Sequence, residues 1–514
     1  MTAKHGGEVR SYTRWQFLGL ILGIPVFFLI LFLPTPAGMT PAAQRTAAVA
    51  SLMVVWWITE AIPIPATALI PLALFPMLKV LSPAEVSASY GDKNIFLFMG
   101  GFLMAVTMER WELHRRIALN IIRMIGMSPR RVILGFMVAT AFLSMWISNT
   151  ATTMMMLPIG LAIVYQFDHL LGADKTEEWD FKQALMLSIA FSASIGGIGT
   201  LVGTPPNIIF VAALKKIFPA APEITFVKWF LVCFPIVVVF LPIAWVYMTR
   251  IAFKIPSGQV AVGGEVISEE LQKLGPMKKE EKWTLFYFIL LALAWTFRKN
   301  LNFGFVHIPG WSNLLGIEKN IHDSTVAIFV SMLLFLIPVD LSRGQFLLDW
   351  KSALRIPWGI LILFGGGIAL AAAFGETGLA HWIARSLTAI QHFPLIVMLF
   401  FVSLLMVLLT EVTSNTAITT IFMPILAATA VAMKVNPIGM MMVGTISASL
   451  AFMLPVATPP NAIVFGSGFV RLPTMARVGF GLDVIGIALV ILAMYLLAGP
   501  VFGIHFTQLP LWAQ

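Results

Sequence analysis

The chain has 514 residues, of which 59% are hydrophobic and 11% are charged, and its mean hydropathy is +0.91. Soluble globular domains carry about 25% charged residues. This composition therefore excludes a water-soluble globular protein and predicts a polytopic membrane protein. The net charge of +9 does not indicate nucleic-acid binding, because the basic residues lie between apolar runs. Basic loops that face the cytoplasm account for it. The single cysteine, Cys233, excludes an internal disulfide.

A membrane-spanning helix needs about 20 apolar residues. Eleven apolar runs predict such helices: 15–33, 46–60, 62–80, 94–108, 183–217, 226–253, 284–297, 324–338, 357–374, 436–470 and 476–503. The first run follows basic residues and lacks a small-residue cleavage site, which predicts a retained helix and not a signal peptide.

Two further runs, 132–166 and 394–432, are too long for one crossing and carry polar residues at their middle. Each half of such a run is only 15 to 19 residues long, which is short for a complete span. These runs predict re-entrant hairpins, in which the chain enters the membrane and turns back.

The polar residues at the middle of each hairpin belong to a repeated motif. Ser148-Asn149-Thr150 recurs as Ser414-Asn415-Thr416, 266 positions later, and Thr204-Pro205-Pro206-Asn207 recurs as Thr458-Pro459-Pro460-Asn461, 254 positions later. The chain thus contains a two-fold internal repeat. Each half contains five predicted spans and one hairpin, and the odd number of spans inverts the second half relative to the first, as in many secondary transporters.

The repeats define the predicted domain organisation. It comprises an N-terminal segment with the first transmembrane helix (1–45), a first repeat (46–253), a cytoplasmic linker (254–283), a second repeat (284–505) and a C-terminal tail (506–514). A cytoplasmic N-terminus places about twice as many Lys and Arg residues inside as outside, as the positive-inside rule requires. The stretch 110–131 predicts an amphipathic helix on the inner surface.

One copy of Ser-Asn-Thr at a turn is explained by ordinary capping of helix ends. Two copies in register, each followed by a double proline, are not explained by helix capping alone. Double prolines remove helical hydrogen bonds, so the helices 183–217 and 436–470 are expected to break within the membrane. Irregular backbone at that depth must be buried in protein or line a cavity. We therefore expect the hairpin tips and the helix breaks to enclose one polar pocket.

The predicted pocket has no built-in positive charge, because Lys and Arg are absent from 132–174, 183–213, 386–433 and 435–470. Helix N-termini favour an anion, whereas carbonyl and hydroxyl oxygens suit a hard cation such as Na⁺. A dianion buried without a counter-charge is costly. The sequence thus predicts two cation sites with one anion site between them.

The doubled motifs, together with Trp56-Trp57-Ile58-Thr59-Glu60-Ala61 and Gly365-Gly366-Gly367, resemble the divalent anion/sodium symporter family, and most closely its bacterial sodium-dependent dicarboxylate symporters. The resemblance covers nearly the whole chain. It implies an all-α carrier of the elevator type in the cytoplasmic membrane, a homodimer, and at least two coupling Na⁺ ions.

The resemblance also implies the ligands. One sodium site comprises Ser144, Ser148, Asn149 and Gly203, and the pseudo-symmetric site comprises Thr410, Thr413, Asn415 and Ala457. The implied substrate contacts are Ser148, Asn149, Thr150, Thr204, Pro205, Ser414, Asn415, Thr416, Thr458 and Pro459. Many relatives have Gly at the position of Ala457; a backbone carbonyl ligand survives this change.

Sodium-coupled import of C4 dicarboxylates such as succinate, malate and fumarate is the leading functional hypothesis. A sodium-independent exchanger of di- and tricarboxylates and an anion channel are the alternatives. An enzyme is not expected, because the polar motifs lack a zinc-type His cluster, a nucleophile elbow and a nucleotide loop. Glu411, the acid nearest the motifs, is a functional candidate as an ionisable residue at membrane depth, whereas Glu60 is interpreted as structural.

Overall fold

The computed structural model describes residues 12–170, 175–255, 263–302, 307–386 and 393–513. Parts of the predicted N-terminal segment (1–11), of the cytoplasmic linker (256–262) and of the C-terminal tail (514) lie outside the described residues, as do residues 171–174 of the first repeat.

The described chain is mostly helical. The helices of the first part of the chain are α1 (Arg14–Phe32), α2 (Pro41–Thr59), α3 (Ile64–Thr67), α4 (Ile70–Met77), α5 (Pro83–Tyr90), α6 (Lys93–Arg110), α7 (Leu113–Ile125), α8 (Pro129–Ser144), α9 (Asn149–Leu170), α10 (Lys175–Ile198), α11 (Pro205–Ile217), α12 (Phe226–Val246) and α13 (Gly264–Leu274). Those of the second part are α14 (Lys279–Thr296), α15 (Trp311–Leu314), α16 (Asp323–Leu336), α17 (Trp350–Ala353), α18 (Trp358–Glu376), α19 (Leu379–Ser386), α20 (Leu395–Thr410), α21 (Asn415–Ala432), α22 (Pro437–Ser447), α23 (Pro459–Phe465), α24 (Leu472–Ala493) and α25 (Gly499–Phe502).

Within the described residues, six helical stretches are long and apolar enough to cross a membrane: 14–32, 179–198, 226–252, 358–376, 415–432 and 472–502. The stretches 226–252 and 472–502 each include a π-helical turn, at Tyr247–Ala252 and Met494–Ala498. Shorter apolar helices lie at 64–77, 323–336, 395–410 and 437–447. The molecule is therefore a multi-pass membrane protein.

At each predicted hairpin the structure has two helices joined by a short turn. The first consists of α8 and α9, which are separated by residues 145–148, and the second consists of α20 and α21, which are separated by 411–414. The two proline-containing helices are interrupted as well. Residues 199–204 separate α10 from α11, and residues 448–458 separate α22 from α23. In both cases the double proline begins the following helix, where its missing N–H groups need no partner.

Several elements differ from the expectations. The chain is not entirely α-helical, because β1 (Leu301–Asn302) pairs with β2 (His307–Ile308), and β3 (Pro338–Asp340) pairs with β4 (Gln345–Phe346), both antiparallel. The run 62–80 is not one helix. It divides into α3 and α4; a proline lies just before α3, and both helices contain prolines. The short helix α5, which begins with a Ser82 capping box, is an element that hydrophobicity alone does not indicate.

Two amphipathic helices begin at corresponding positions of the repeats. α7 begins at Leu113 and α19 at Leu379, 266 positions later. In α7, Leu113, Leu119 and Ile122 are buried, whereas Arg115 and Arg116 are partly exposed and Arg123 is exposed. This confirms the helix that the sequence predicts within 110–131, and it extends the repeat beyond the polar motifs.

A buried ion-pair cluster joins the ends of α12, α14 and α16. The Arg298 guanidinium is 1% exposed and bonds to Asp323 at 2.5 Å and Glu223 at 2.8 Å. Lys299 Nζ donates to the other carboxylate oxygen of Glu223 at 2.5 Å, and Asp323 also accepts from the Phe226 N–H at 2.9 Å. Every charge in the cluster thus has an opposite charge or a hydrogen bond, as a buried ion pair requires.

This cluster gives a pH-dependent stability. Burial alone raises the pKa of Glu223, but the hydrogen bond from Lys299 and the charges of Arg298 and Lys299 lower it to about 2, below its usual value of 4.5. Ionised Glu223 therefore stabilises the fold above about pH 4.5, and this contribution is lost as the pH falls toward 2. We expect Glu223→Gln to lower the thermal unfolding midpoint of the detergent-purified protein at pH 6. The difference from the wild type should disappear on acidification; a difference that is constant with pH would contradict this.

Candidate functional site

The hairpin tips and the helix breaks line one cavity of about 730 Å³. All ten predicted substrate contacts line it: Ser148, Asn149, Thr150, Thr204, Pro205, Ser414, Asn415, Thr416, Thr458 and Pro459. Gly203, Thr413 and Ala457 from the predicted cation sites line it as well. The repeats therefore bring residues that are more than 300 positions apart in sequence, such as Ser148 and Pro459, to one cavity.

Ser144 and Thr410, the two remaining predicted cation ligands, do not line this cavity. Both are fully buried behind the tips, where each contacts the asparagine of its own hairpin. Ser144 Oγ lies 2.5 Å from Asn149 Oδ1 and 2.7 Å from the Ala193 carbonyl. Thr410 Oγ1 lies 2.5 Å from Asn415 Oδ1 and 2.8 Å from the Ala448 carbonyl. Each hairpin thus presents a matching group of hydroxyl, amide and carbonyl oxygens, which are ligands suited to a hard cation.

The two helix breaks have the same internal bracing. Asn207 Nδ2 donates to the carbonyls of Gly197 at 3.1 Å and Thr200 at 2.7 Å. Asn461 Nδ2 donates to the carbonyls of Ala451 at 3.0 Å and Leu454 at 2.9 Å. Each bracing residue and each of its acceptors in the second repeat lie 254 positions after their first-repeat counterparts. These asparagines end the motifs Thr-Pro-Pro-Asn, and the motif spacing alone does not reveal that their role is to hold the unwound backbone.

Close backbone contact at the first break depends on glycine. A Cβ atom on Gly203 would lie 2.5 Å from the Gly197 carbonyl oxygen, and one on Gly197 would lie 2.7 Å from Asn149 Oδ1. Real Cβ atoms do not approach other atoms so closely. The absence of side chains here lets the break pass against the tip of the first hairpin.

The ends of helices give the cavity its electrostatic character. α9, α11 and α21 begin at Asn149, Pro205 and Asn415, which all line the cavity. The free N–H groups at these N-termini favour an anion. α8 and α20 end at Ser144 and Thr410 beside the tips, and helix C-termini favour cations. Among the described lining residues the only charged side chain is Glu60, which the sequence pattern does not place here.

Such matched hairpins and broken helices around a mid-chain polar cavity define a secondary-transporter type of membrane protein. Comparison with known proteins identifies the family. The model of the sodium:sulfate symporter transmembrane region matches residues 14–504, and the chain belongs to this family.

Similar proteins include the sodium-dependent dicarboxylate transporter SdcS of Staphylococcus saprophyticus, which is 44% identical over 508 residues, 98% of this chain and 96% of the relative. SdcS of Staphylococcus aureus strain MRSA252 is 42% identical over 506 residues, 98% of this chain and 95% of the relative.

Two solved transporter structures share the fold at low sequence identity. The YdaH transporter of Alcanivorax borkumensis has a TM-score of 0.55 at 13% identity and covers 88% of this chain and 98% of its own. MtrF of Neisseria gonorrhoeae has a TM-score of 0.56 at 12% identity and covers 96% of this chain and 97% of its own.

Proposed function

We propose that this protein is a symporter that imports C4 dicarboxylates, such as succinate, malate and fumarate, together with Na⁺ across the cytoplasmic membrane. The observation that carries the proposal is the cavity lined by both Ser-Asn-Thr tips and both Thr-Pro segments, with no basic side chain among its described lining residues. The names of the similar SdcS proteins, sodium-dependent dicarboxylate transporters, support the same substrate and ion.

The residues at the tips and the helix breaks bind both the cations and the anion. At least two Na⁺ ions bind: one at Ser144, Ser148, Asn149 and the Gly203 carbonyl, the other at Thr410, Thr413, Asn415 and the Ala457 carbonyl. The hydroxyl and amide groups of the tips and the helix N-termini then bind the two carboxylates. Because each asparagine contributes to both kinds of site, the dianion binds well only after the cations have supplied positive charge. Sodium coupling follows from this dependence.

We further propose that transport occurs by an elevator movement in a homodimer. The order of the helices is consistent with eleven transmembrane helices and two re-entrant hairpins, arranged in inverted repeats with a cytoplasmic N-terminus. The hairpins pack against the broken helices, through the contacts of α10 with α8 and α9 and of α22 with α20 and α21. The hairpins and the broken helices thus move together and carry the binding site as one unit. Glu60 and Pro357 also line the cavity. With the proposed cytoplasmic N-terminus both residues lie toward the cytoplasm, and we propose that the cavity opens to that side.

Uptake of labelled succinate into proteoliposomes tests the function. We expect accumulation with an inward Na⁺ gradient and background uptake when choline replaces Na⁺, with empty liposomes as the control. Equal uptake in choline would contradict sodium coupling. Uptake that requires internal dicarboxylate and no Na⁺ would identify an exchanger, and a flux that neither saturates nor runs uphill would identify a channel.

A further inference from the structure

Two acidic side chains are buried together beside the second hairpin tip. Glu411 lies in the turn between α20 and α21, and Asp483 lies in α24; each is 2% exposed. The Glu411 carboxylate accepts hydrogen bonds from the backbone N–H of Met453 at 2.8 Å and of Leu454 at 2.9 Å. Glu411 therefore connects the hairpin tip directly to the break between α22 and α23.

The Asp483 carboxyl has no such partners. Neither of its oxygens has a hydrogen-bond partner among the described residues, and the Glu411 carboxyl and the Phe452 backbone lie beside it. The packing of α24 fixes this position. A Cβ atom on Gly479, one turn before Asp483, would lie 2.3 Å from the Phe452 carbonyl oxygen, so the helix lies directly on the break.

The first repeat builds the same place without acids. Glu411 lies 266 positions after Met145, and Asp483 lies 254 positions after Trp229, the offsets of the two motif pairs. Trp229 Nε1 donates to the Ile198 carbonyl at 2.9 Å, and Ile198 is the counterpart of Phe452 at the same offset of 254. A thioether and an indole thus suffice to pack a hairpin tip against a helix break. The two acids of the second repeat are not needed for this architecture.

Two adjacent carboxylates in a buried site cannot both be charged without compensation. Lys and Arg are absent from 386–433 and 435–470. Arg471, which directly precedes α24, and Arg477, near the beginning of α24, are both exposed. The compensating charge must therefore come from solution, either as a proton or as a bound cation. Several hard oxygens in one place suit Na⁺, and Glu411 immediately follows Thr410, so a cation here moves with the second hairpin.

We infer that Glu411 and Asp483 form a third cation site, which takes Na⁺ in addition to the two sites at the tips. The inference rests on the proposed sodium-coupled transport and adds one coupling ion to it. The site belongs to the second repeat alone, so the carrier binds its cations asymmetrically although its two tips match.

The test compares the number of Na⁺ ions per succinate in proteoliposomes, obtained from the membrane potential at which net flux reverses. We expect the double variant Glu411→Gln/Asp483→Asn to couple one Na⁺ fewer than the wild type, because the amides have nearly the same size as the carboxylates but carry no charge. Asp483→Asn alone should raise the half-saturating Na⁺ concentration roughly tenfold, as loss of one charged ligand predicts. Glu109→Gln, which removes a half-buried acid at the end of α6, is the matched control and should leave both quantities unchanged.

An unchanged ion number and half-saturating Na⁺ concentration in both variants would overturn the inference. If those variants also lost a pH dependence present in the wild type, the pair would hold a proton and not Na⁺. Asp483→Glu, which keeps the charge, should retain the wild-type ion number and provides the comparison if the amide variants do not fold. A wild-type protein that takes up succinate without Na⁺ would instead contradict the proposed function itself, so the two failures are distinguishable.

Discussion

Replacing either tip asparagine, by Asn149→Ala or Asn415→Ala, is expected to abolish sodium-dependent succinate uptake while leaving the protein in the membrane. Each asparagine places its Oδ1 atom 2.5 Å from the hydroxyl of Ser144 or Thr410 and also lines the cavity. The substitution therefore removes a cation ligand and an anion contact together. Each hydrogen bond to a charged group contributes about 1.5–3 kcal/mol, so the loss of both predicts a decrease in uptake of roughly a hundredfold or more.

The measurement is the initial rate of labelled succinate uptake as a function of Na⁺ concentration, normalised to the amount of reconstituted protein. Asn120→Ala is the matched control, because Asn120 is exposed on α7 and donates only to the Arg116 carbonyl, four residues earlier in the same helix, at 2.8 Å. It should retain wild-type kinetics. Wild-type sodium dependence in both tip variants would show that these asparagines are not the shared ligands.

The hairpins and helix breaks could be predicted from the sequence because their signals are local. The offset of 266 between the Ser-Asn-Thr copies and the double prolines at 205–206 and 459–460 identify the turns and the interruptions without reference to packing. Ser144 and Thr410 were implied only by the resemblance to the symporter family, and in the structure both lie beside the tips. The ions and the substrate that these residues bind stay predictions.

Contacts between distant helices could not be predicted in this way. Asp483 lies in an apolar helix, and nothing near it in sequence indicates that it faces Glu411, because that contact depends on how α24 packs against the break at Phe452. Glu60 was interpreted as structural for a similar reason. It ends α2 in a left-handed conformation, and only the arrangement of α3, α18 and the tips around it brings it to the cavity.

Gly203→Ala is expected to impair sodium-dependent uptake nearly as strongly as loss of a tip asparagine. The added Cβ atom would lie 2.5 Å from the Gly197 carbonyl oxygen and 3.0 Å from the Gly197 Cα atom. Backbone atoms cannot rotate away as a flexible side chain can, so the break must widen. The Gly197 carbonyl is also an acceptor of Asn207, at 3.1 Å, and the displacement therefore disturbs the brace of the break as well as the proposed carbonyl ligand.

A displacement of about 1 Å at a binding or reacting group can cost about a hundredfold in rate, and we expect a comparable loss at sub-saturating Na⁺, with partial recovery at high Na⁺. Gly91→Ala is the matched control. Gly91 has a φ of −100°, which alanine adopts, and its Cβ atom would meet nothing closer than the Ala88 carbonyl oxygen at 3.8 Å. The readout is the half-saturating Na⁺ concentration for succinate uptake. Wild-type values in Gly203→Ala would mean that the break accommodates a side chain, as the second repeat does with Ala457, and that its geometry does not set the affinity for the ion.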